Sequence, residues 1–125
     1  MLGHRADDEL MATEARFRAL VAEWDLGRRD VARLLDIPAD DLGLDLVPRA
    51  PTIEAEHRLR ILVGIRTLLH ILLPDPRDIP RWLRESAEEL TDEEGAPAPC
   101  LLRYMSRSRA HLSAVRTALE RRAGV

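Results

Sequence analysis

The 125-residue chain contains no lysine, no asparagine and no glutamine, and its 19 Lys/Arg positions are all arginine. This preference fits a GC-rich coding sequence and by itself predicts no particular chemistry. The single cysteine, Cys100, excludes an internal disulfide and a zinc site built from several cysteines. With only four aromatic residues, the chain must form its core mainly from aliphatic side chains.

The distribution of charge limits the classes of partner. The first ten residues, MLGHRADDEL, are charged and lack the apolar core of a signal peptide, so the expected compartment is the cytoplasm. Residues 1–48 carry 6 arginines and 11 acidic residues, whereas residues 49–125 carry 13 arginines and 11 acidic residues. Because neutralisation of phosphates supplies much of the affinity for nucleic acids, the acidic first part argues against strong nucleic-acid binding there.

The densest apolar run, IEAEHRLRILVGIRTLLHILL at residues 53–73, predicts the central helix of a small helical bundle. Its apolar residues follow helical spacing around most of the helix, so other elements must cover it. Arg60, Arg66 and His70 interrupt the run, which argues against a membrane span of about 20 apolar residues. Gly64 costs about 1 kcal/mol of helix propensity relative to alanine and is expected to allow close approach of a neighbouring helix.

Apolar periodicity and the positions of proline and glycine predict shorter helices around this one. Thr52 is the expected N-cap of the central helix, and Gly124 is placed to end the last helix. No strand-like alternation occurs, so we predict an all-α fold with two parts, residues 1–48 and residues 53–125. The predicted outer helices cover residues 6–24, 28–36, 79 to about 90, 100–105 and 108–122, with an exposed loop at 91–99.

The first part contains W-x-L-x-x-x-x-V-A-x-L-L-x-I-P, a pattern similar to half of a helix-turn-helix. The place of a recognition helix holds ADDLGLDL at residues 39–46, whose carboxylates would repel phosphates. A helix-turn-helix-like scaffold kept for packing is therefore favoured over DNA binding. For the DNA-binding alternative, the candidate contacts are Arg28, Arg29 and Arg33.

Sequence motifs for catalysis or metal binding are lacking. The four histidines lie far apart in sequence, no serine stands in a G-x-S-x-G motif, and no glycine-rich phosphate loop occurs. The acidic run at residues 88–94 is interpreted as a solvated charge run. We therefore expect a protein that is not an enzyme and that carries no metal or cofactor.

The second part bears a more specific resemblance. Residues 58–84, RLRILVGIRTLLHILLPDPRDIPRWLR, and residues 104–124, YMSRSRAHLSAVRTALERRAG, resemble the toxin-binding domain of Xre/MbcA/ParS-type antitoxins. The first part is similar to the helix-turn-helix region of that family. The loop at residues 85–99 departs from the family, because it is longer and acidic, and the glycine before the last helix is replaced. The positions that carry the resemblance are Gly64, Ile65, Leu68, Pro74, Asp75, Pro76, Trp82, Leu83, Met105, Leu112, Val115, Arg116 and Leu119.

The resemblance implies an antitoxin of a type II toxin-antitoxin system that binds and neutralises a RES-domain toxin, an NAD-consuming enzyme. Such antitoxins are often homodimers, and many repress their own operon by binding operator DNA. An equally supported alternative for Arg116 is an ion pair with Glu120 on the same helix. Other functions left open are a DNA-binding transcriptional regulator and a non-catalytic dimeric interaction protein. The residues expected to bind the partner are Trp82, Tyr104, Met105, Arg116, Arg121 and Arg122.

Overall fold

The computed structural model describes the backbone of residues 2–85, 87–91, 97–98 and 100–124, and the side chains of residues 9, 11–85 and 100–124. Within these residues the chain is predominantly α-helical, as predicted, with one pair of short strands. The helices are α1 (Leu2–Glu23), α2 (Arg28–Leu35), α3 (Ile53–Leu72), α4 (Ile79–Arg84), α5 (Leu101–Met105) and α6 (Arg109–Ala123). The strands are β1 (Ala87–Thr91) and β2 (Pro97–Ala98).

The segment after α4 differs from the prediction. The helix expected to run to about residue 90 ends at Arg84, because Glu85 takes an extended conformation with φ −73° and ψ 157°. The chain then forms β1, which pairs with β2 in antiparallel orientation. Part of the predicted exposed loop at residues 91–99 is therefore paired backbone, while residues 92–96 and 99 lie outside the described residues. The backbone N–H and C=O groups of β1 and β2 bond to each other, and such pairing between separate segments leaves no signal in the local sequence pattern.

The predicted central helix is confirmed in α3, which is packed by α1, α2 and α6. Leu59, Leu62, Ile65 and Leu69 are almost completely buried along its length. Complete burial of one such side chain contributes about 1.5–3 kcal/mol relative to exposure. None of the described helices combines the length and the apolar character needed to cross a membrane.

One continuous core includes side chains from both predicted parts of the chain. Phe17 of α1 and Trp24, which directly follows this helix, are fully buried aromatic side chains of the core. The remainder is mainly aliphatic, as the shortage of aromatics predicted. Other core residues are Leu20, Leu34, Leu35, Leu42, Ile79, Leu83, Leu101, Leu102, Met105, Leu112, Val115 and Leu119.

Side-chain caps fix the ends of the two helices that lie against each other. The Thr52 hydroxyl accepts a hydrogen bond from the Ala55 amide at 3.1 Å, which confirms the predicted N-cap of α3. The Ser108 hydroxyl accepts from the His111 amide at 3.2 Å at the start of α6. Gly124 ends α6 with φ +77°, the left-handed conformation that glycine adopts without steric cost.

An arginine from α4 holds the carboxyl end of α1. The guanidinium of Arg84 donates to the Trp24 carbonyl at 3.1 Å and to the Asp25 carbonyl at 2.8 Å. The last carbonyls of a helix have no partner within the helix, so a charged donor stabilises them and complements the helix dipole. This contact fixes α4 against the end of α1, 60 residues away in the chain.

A buried arginine connects α3 to the end of α2. Arg58 is 6% exposed, and its Nε donates to Glu54 one turn earlier on α3 at 3.2 Å. Its terminal nitrogens lie 3.5 Å from the Leu34 carbonyl oxygen and 3.9 Å from Asp36 Oδ2. The charge is therefore compensated where it is buried, as a buried ion requires.

Gly64 lies on the side of α3 that faces α6. A β-carbon added at this position would lie 3.6 Å from Cδ of Arg116, an ordinary van der Waals distance. The approach of the two helices is therefore close enough for contact, yet it leaves room for one methyl group.

We expect the substitution Gly64→Ala to raise the free energy of unfolding by about 0.5–1 kcal/mol, since alanine gains helix propensity and removes freedom from the unfolded chain. Urea denaturation followed by circular dichroism measures the change. Gly64→Leu should lose this gain, because its side chain must displace the Arg116 stem. A decrease in stability for Gly64→Ala would show that the helices pack more tightly than described.

Candidate functional site

The arginines predicted to bind a partner lie on α6, outside the row of side chains that this helix buries. Leu112, Val115 and Leu119 pack into the core and fix the orientation of the helix. Arg121 and Arg122 are exposed in its last turn and make no ion pair or side-chain hydrogen bond with the described residues. Both guanidinium groups therefore keep all their donors available to solvent or to another molecule.

Arg116 adopts the pairing that the sequence left open as an alternative. Its Nε lies 3.5 Å from Oε1 of Glu120, and both side chains are about 40% exposed. An exposed pair of this spacing contributes only about 0.3–0.5 kcal/mol. The pair therefore leaves Arg116 able to exchange Glu120 for a carboxylate on another molecule at small cost.

Three further residues of the predicted partner-binding set lie elsewhere. Trp82 is half-buried on α4 and packs against the core. Tyr104 is 6% exposed and Met105 is fully buried, so the chain itself covers both side chains. Four of the five residues of α5 are buried, which explains why residues predicted to face a partner instead face inward. The structure thus does not bring Tyr104 and Met105 to the surface with the arginines of α6.

Of the three arginines considered for DNA binding, Arg28 is occupied within the chain. Its guanidinium donates to the carbonyls of Ala39 and Leu42, each at 3.0 Å, and to that of Gly43 at 3.2 Å. This contradicts the interpretation of Arg28 as a free phosphate contact, because its donors hold the following loop. Arg29 and Arg33 are exposed on the same helix.

The place of a recognition helix is occupied by a 3-10 turn (Ala39–Asp41) and a hydrogen-bonded loop, residues 42–48. The Gly43 amide donates to the Val47 carbonyl at 2.8 Å, and Leu42 pairs with Pro48 across the loop. Leu44 at the tip is 99% exposed. The loop presents no helical side-chain row that could enter a DNA groove.

Asp45 attaches this loop to α1. Its carboxylate accepts a hydrogen bond from Arg18 Nε at 2.8 Å and one from the Val47 amide at 3.1 Å. The Arg18 hydrogen bond, followed by that from Val47, lowers the pKa of Asp45 below its ordinary value of 3.8. The ionised carboxylate is therefore the form that the fold stabilises.

Two charged groups on α3 were not identified from the sequence. Near its start, Glu54 accepts hydrogen bonds from Arg58 at 3.2 Å and from Arg109 of α6 at 3.0 Å. The spacing of Glu54 and Arg58 by four residues is a recognisable helical signal. The participation of Arg109, 55 residues further along the chain, has no local signal.

The second group lies near the end of α3. Glu23 of α1 is 2.7 Å from His70 Nε2 and 3.5 Å from Arg66 Nη2. The histidine therefore pairs with a carboxylate of α1 at this end of α3.

In the part of the chain whose side chains are described, no group of three or more His, Cys, Asp or Glu residues could hold a metal ion. Cys100 is free and half-buried. The exposed groups on α6 are charge-assisted hydrogen-bond donors, which bind carboxylates and phosphates.

Comparisons with protein-family models, with curated proteins and with solved structures found no match to this chain.

Replacing Arg28 by methionine is expected to lower the free energy of unfolding by about 1–3 kcal/mol, because three partly buried carbonyls lose a charged donor. Arg29→Met, one residue further along the same helix and exposed, should change it by less than about 0.5 kcal/mol. Urea denaturation of both variants gives the comparison. Equal losses of stability in the two variants would contradict a stabilising role for the hydrogen bonds of Arg28.

The substitution Asp45→Asn is expected to cost about 0.2–1 kcal/mol at pH 7, a modest value because both partners of the Arg18 pair are nearly half exposed. The pKa of Asp45 is lower in the folded chain than in the unfolded chain, so the contribution is present above about pH 4 and is lost as the pH falls. Denaturation at pH 7 and pH 3 should show the two proteins converging at the lower pH. A difference that stays constant would assign the effect to packing.

Proposed function

We propose that this protein is a non-enzymatic antitoxin that binds and neutralises a RES-domain, NAD-consuming toxin through the exposed arginines of α6. The single observation that carries the proposal is the placement of Arg121 and Arg122 in the last turn of a firmly packed helix, without partners among the described residues. A rigid helix presents such groups at a lower entropic cost than a mobile segment would.

The residues that carry the family resemblance divide into two sets with different meaning. Ile65, Leu68, Leu83 and their apolar counterparts are buried, so they support a similar arrangement of helices and say little about the partner. Arg116 is partly exposed and belongs to the surface of α6. The proposed specificity for a RES-domain toxin therefore rests on the resemblance, whereas the proposed contact surface rests on exposure and charge.

The partner surface that suits α6 carries carboxylates. Arg121 and Arg122 can each form charge-assisted hydrogen bonds, and Arg116 can join them by exchanging its weak pair with Glu120. Contacts of this kind, once desolvated at the centre of an interface, contribute much more than exposed ion pairs do.

Co-expression with a RES-domain toxin tests the proposal. We expect the two chains to elute as one complex in size-exclusion chromatography, and NAD in the expressing cells to stay at the level found without the toxin. Separate elution together with loss of NAD would contradict the proposal.

The double charge reversal Arg121→Glu with Arg122→Glu should weaken the complex at least about tenfold, because it turns two attractive contacts into repulsive ones. The matched control is Arg29→Glu with Arg33→Glu, which makes the same change on exposed residues of α2. Isothermal titration calorimetry with the toxin measures both affinities. Equal weakening by the two variants would contradict the assignment of the surface to α6.

A DNA-binding autorepressor is the second candidate, supported by the exposure of Arg29 and Arg33 one turn apart on α2. The engagement of Arg28 with the loop and the exposed Asp40 and Asp41 oppose it. A gel shift on the promoter of its own operon at increasing salt distinguishes the two functions, because phosphate contacts weaken steeply with salt. A non-catalytic homodimer without a toxin partner would be recognised by light scattering.

A further inference from the structure

One stripe of the central helix α3 is left open by the side chains that the structure describes. The residues of this open stripe follow one another at alternating intervals of four and three, so they lie in line along one side of the helix. All of them are exposed except the glycine, which is half-buried. The open stripe consists of Ile53, His57, Arg60, Gly64, Thr67 and Ile71.

The two ends of the open stripe carry large apolar side chains in contact with water. Ile53 is 76% exposed and Ile71 is 61% exposed. They are 18 residues apart, which is five full turns, so both project in the same direction. A single exposed apolar side chain on a surface needs no explanation, but two that are aligned on one otherwise well-packed helix are typical of a surface that contacts another protein.

The spacing of the open stripe is the heptad spacing by which two helices pack along their length. In an antiparallel pair of α3 helices, with the two-fold axis at the level of position 62, the stripe faces itself. Ile53 then lies opposite Ile71 of a second copy, and the reverse contact occurs at the other end. Between them, His57 lies opposite Thr67 and Arg60 lies opposite Gly64. The stripe is therefore complementary to its own antiparallel copy.

Charge and volume both favour the antiparallel pair over a parallel one. A parallel pair in register would place Arg60 opposite Arg60 and Gly64 opposite Gly64, which brings like charges together and leaves a gap. The antiparallel pair places the long stem of Arg60 over the residue that has no side chain. The side chain nearest to Gly64 is Arg116, whose Nε lies 3.5 Å from Glu120, so Arg60 would meet an ion pair and not a lone cation.

We propose that the open stripe of α3 is the contact surface for a second copy of this chain, whose own α3 packs against it in antiparallel orientation. A two-fold contact of this kind uses the same surface on both copies, so the assembly closes as a dimer. The paired length is about 27 Å, which is short for a specific interface, so the dimer should dissociate on dilution. The inference needs no toxin and is independent of the proposed function.

Sedimentation velocity of the purified chain between about 1 μM and about 1 mM tests the association, because it covers weak to moderate affinities. Ile53→Glu should weaken the dimer at least about tenfold, since it buries a carboxylate against Ile71 at both ends of the contact. The substitution lies in the first turn of α3, where an acidic residue suits the helix dipole and the fold is preserved.

The matched control is Met11→Glu, which makes the same change at a residue of α1 that is 67% exposed. It should leave the dimer unchanged. A natural chain that stays monomeric over the whole range would overturn the inference and leave the open stripe to another protein. A dimer that Ile53→Glu does not weaken, or that both variants weaken equally, would overturn it as well.

Cysteine cross-linking tests the antiparallel register, in chains that also carry Cys100→Ser. Facing residues of two packed helices come within disulfide range, so an equimolar mixture of Ile53→Cys and Ile71→Cys should form a covalent dimer under mild oxidation. Each variant alone should stay uncross-linked, because its two cysteines would lie about 27 Å apart. Covalent dimers of either variant alone would show a parallel pair, and their formation or the lack of a product in the mixture would contradict the proposed register.

Discussion

The burial of α3 by α1, α2 and α6 is the interaction on which the rest of the structure depends. Leu59, Leu62, Ile65 and Leu69 are nearly inaccessible to solvent, and each contributes to a core made mainly of aliphatic side chains. α6 packs on α3 and α5, and Arg121 and Arg122 in its last turn remain exposed. The same packing therefore creates the core and determines which arginines are available to a partner.

Arginine has two distinct roles around this core. Three guanidinium groups donate to backbone carbonyls of other segments. Arg28 binds the loop after α2, Arg58 binds the last turn of α2, and Arg84 binds the end of α1. Arg121 and Arg122 lie at the end of α6 and remain exposed. A planar group with five donors can satisfy several carbonyls at once, which a lysine ammonium does less well. The exclusive use of arginine thus has structural consequences, whatever its origin in the coding sequence.

The sequence predicted those features that depend on local chemistry. Helical periodicity located α3, a hydroxyl side chain located its N-cap at Thr52, and a glycine located the end of α6 at Gly124. It failed where distant segments meet. The pairing of β1 with β2 replaced the expected last turns of α4, and the short helix α5 turned Tyr104 and Met105 into the core. The contacts of Arg28 with the loop after α2 and of Arg84 with the end of α1 span 11 to 60 residues, so no local pattern could separate these arginines from the exposed ones.

The proposed function depends on the packing of the core, because that packing holds the arginines of α6 in fixed positions. The antitoxin proposal requires a stable central helix that holds α6 in place, since a surface on a fluctuating helix would lose affinity to the cost of ordering it. Amide hydrogen exchange of the full chain tests this requirement most directly. We expect residues 59–69 to exchange slowest of all, through global unfolding alone, and the amides on the buried face of α6 to exchange only slightly faster. Exchange of residues 59–69 as fast as that of residues 11–16 of α1, where no side chain is buried, would contradict it.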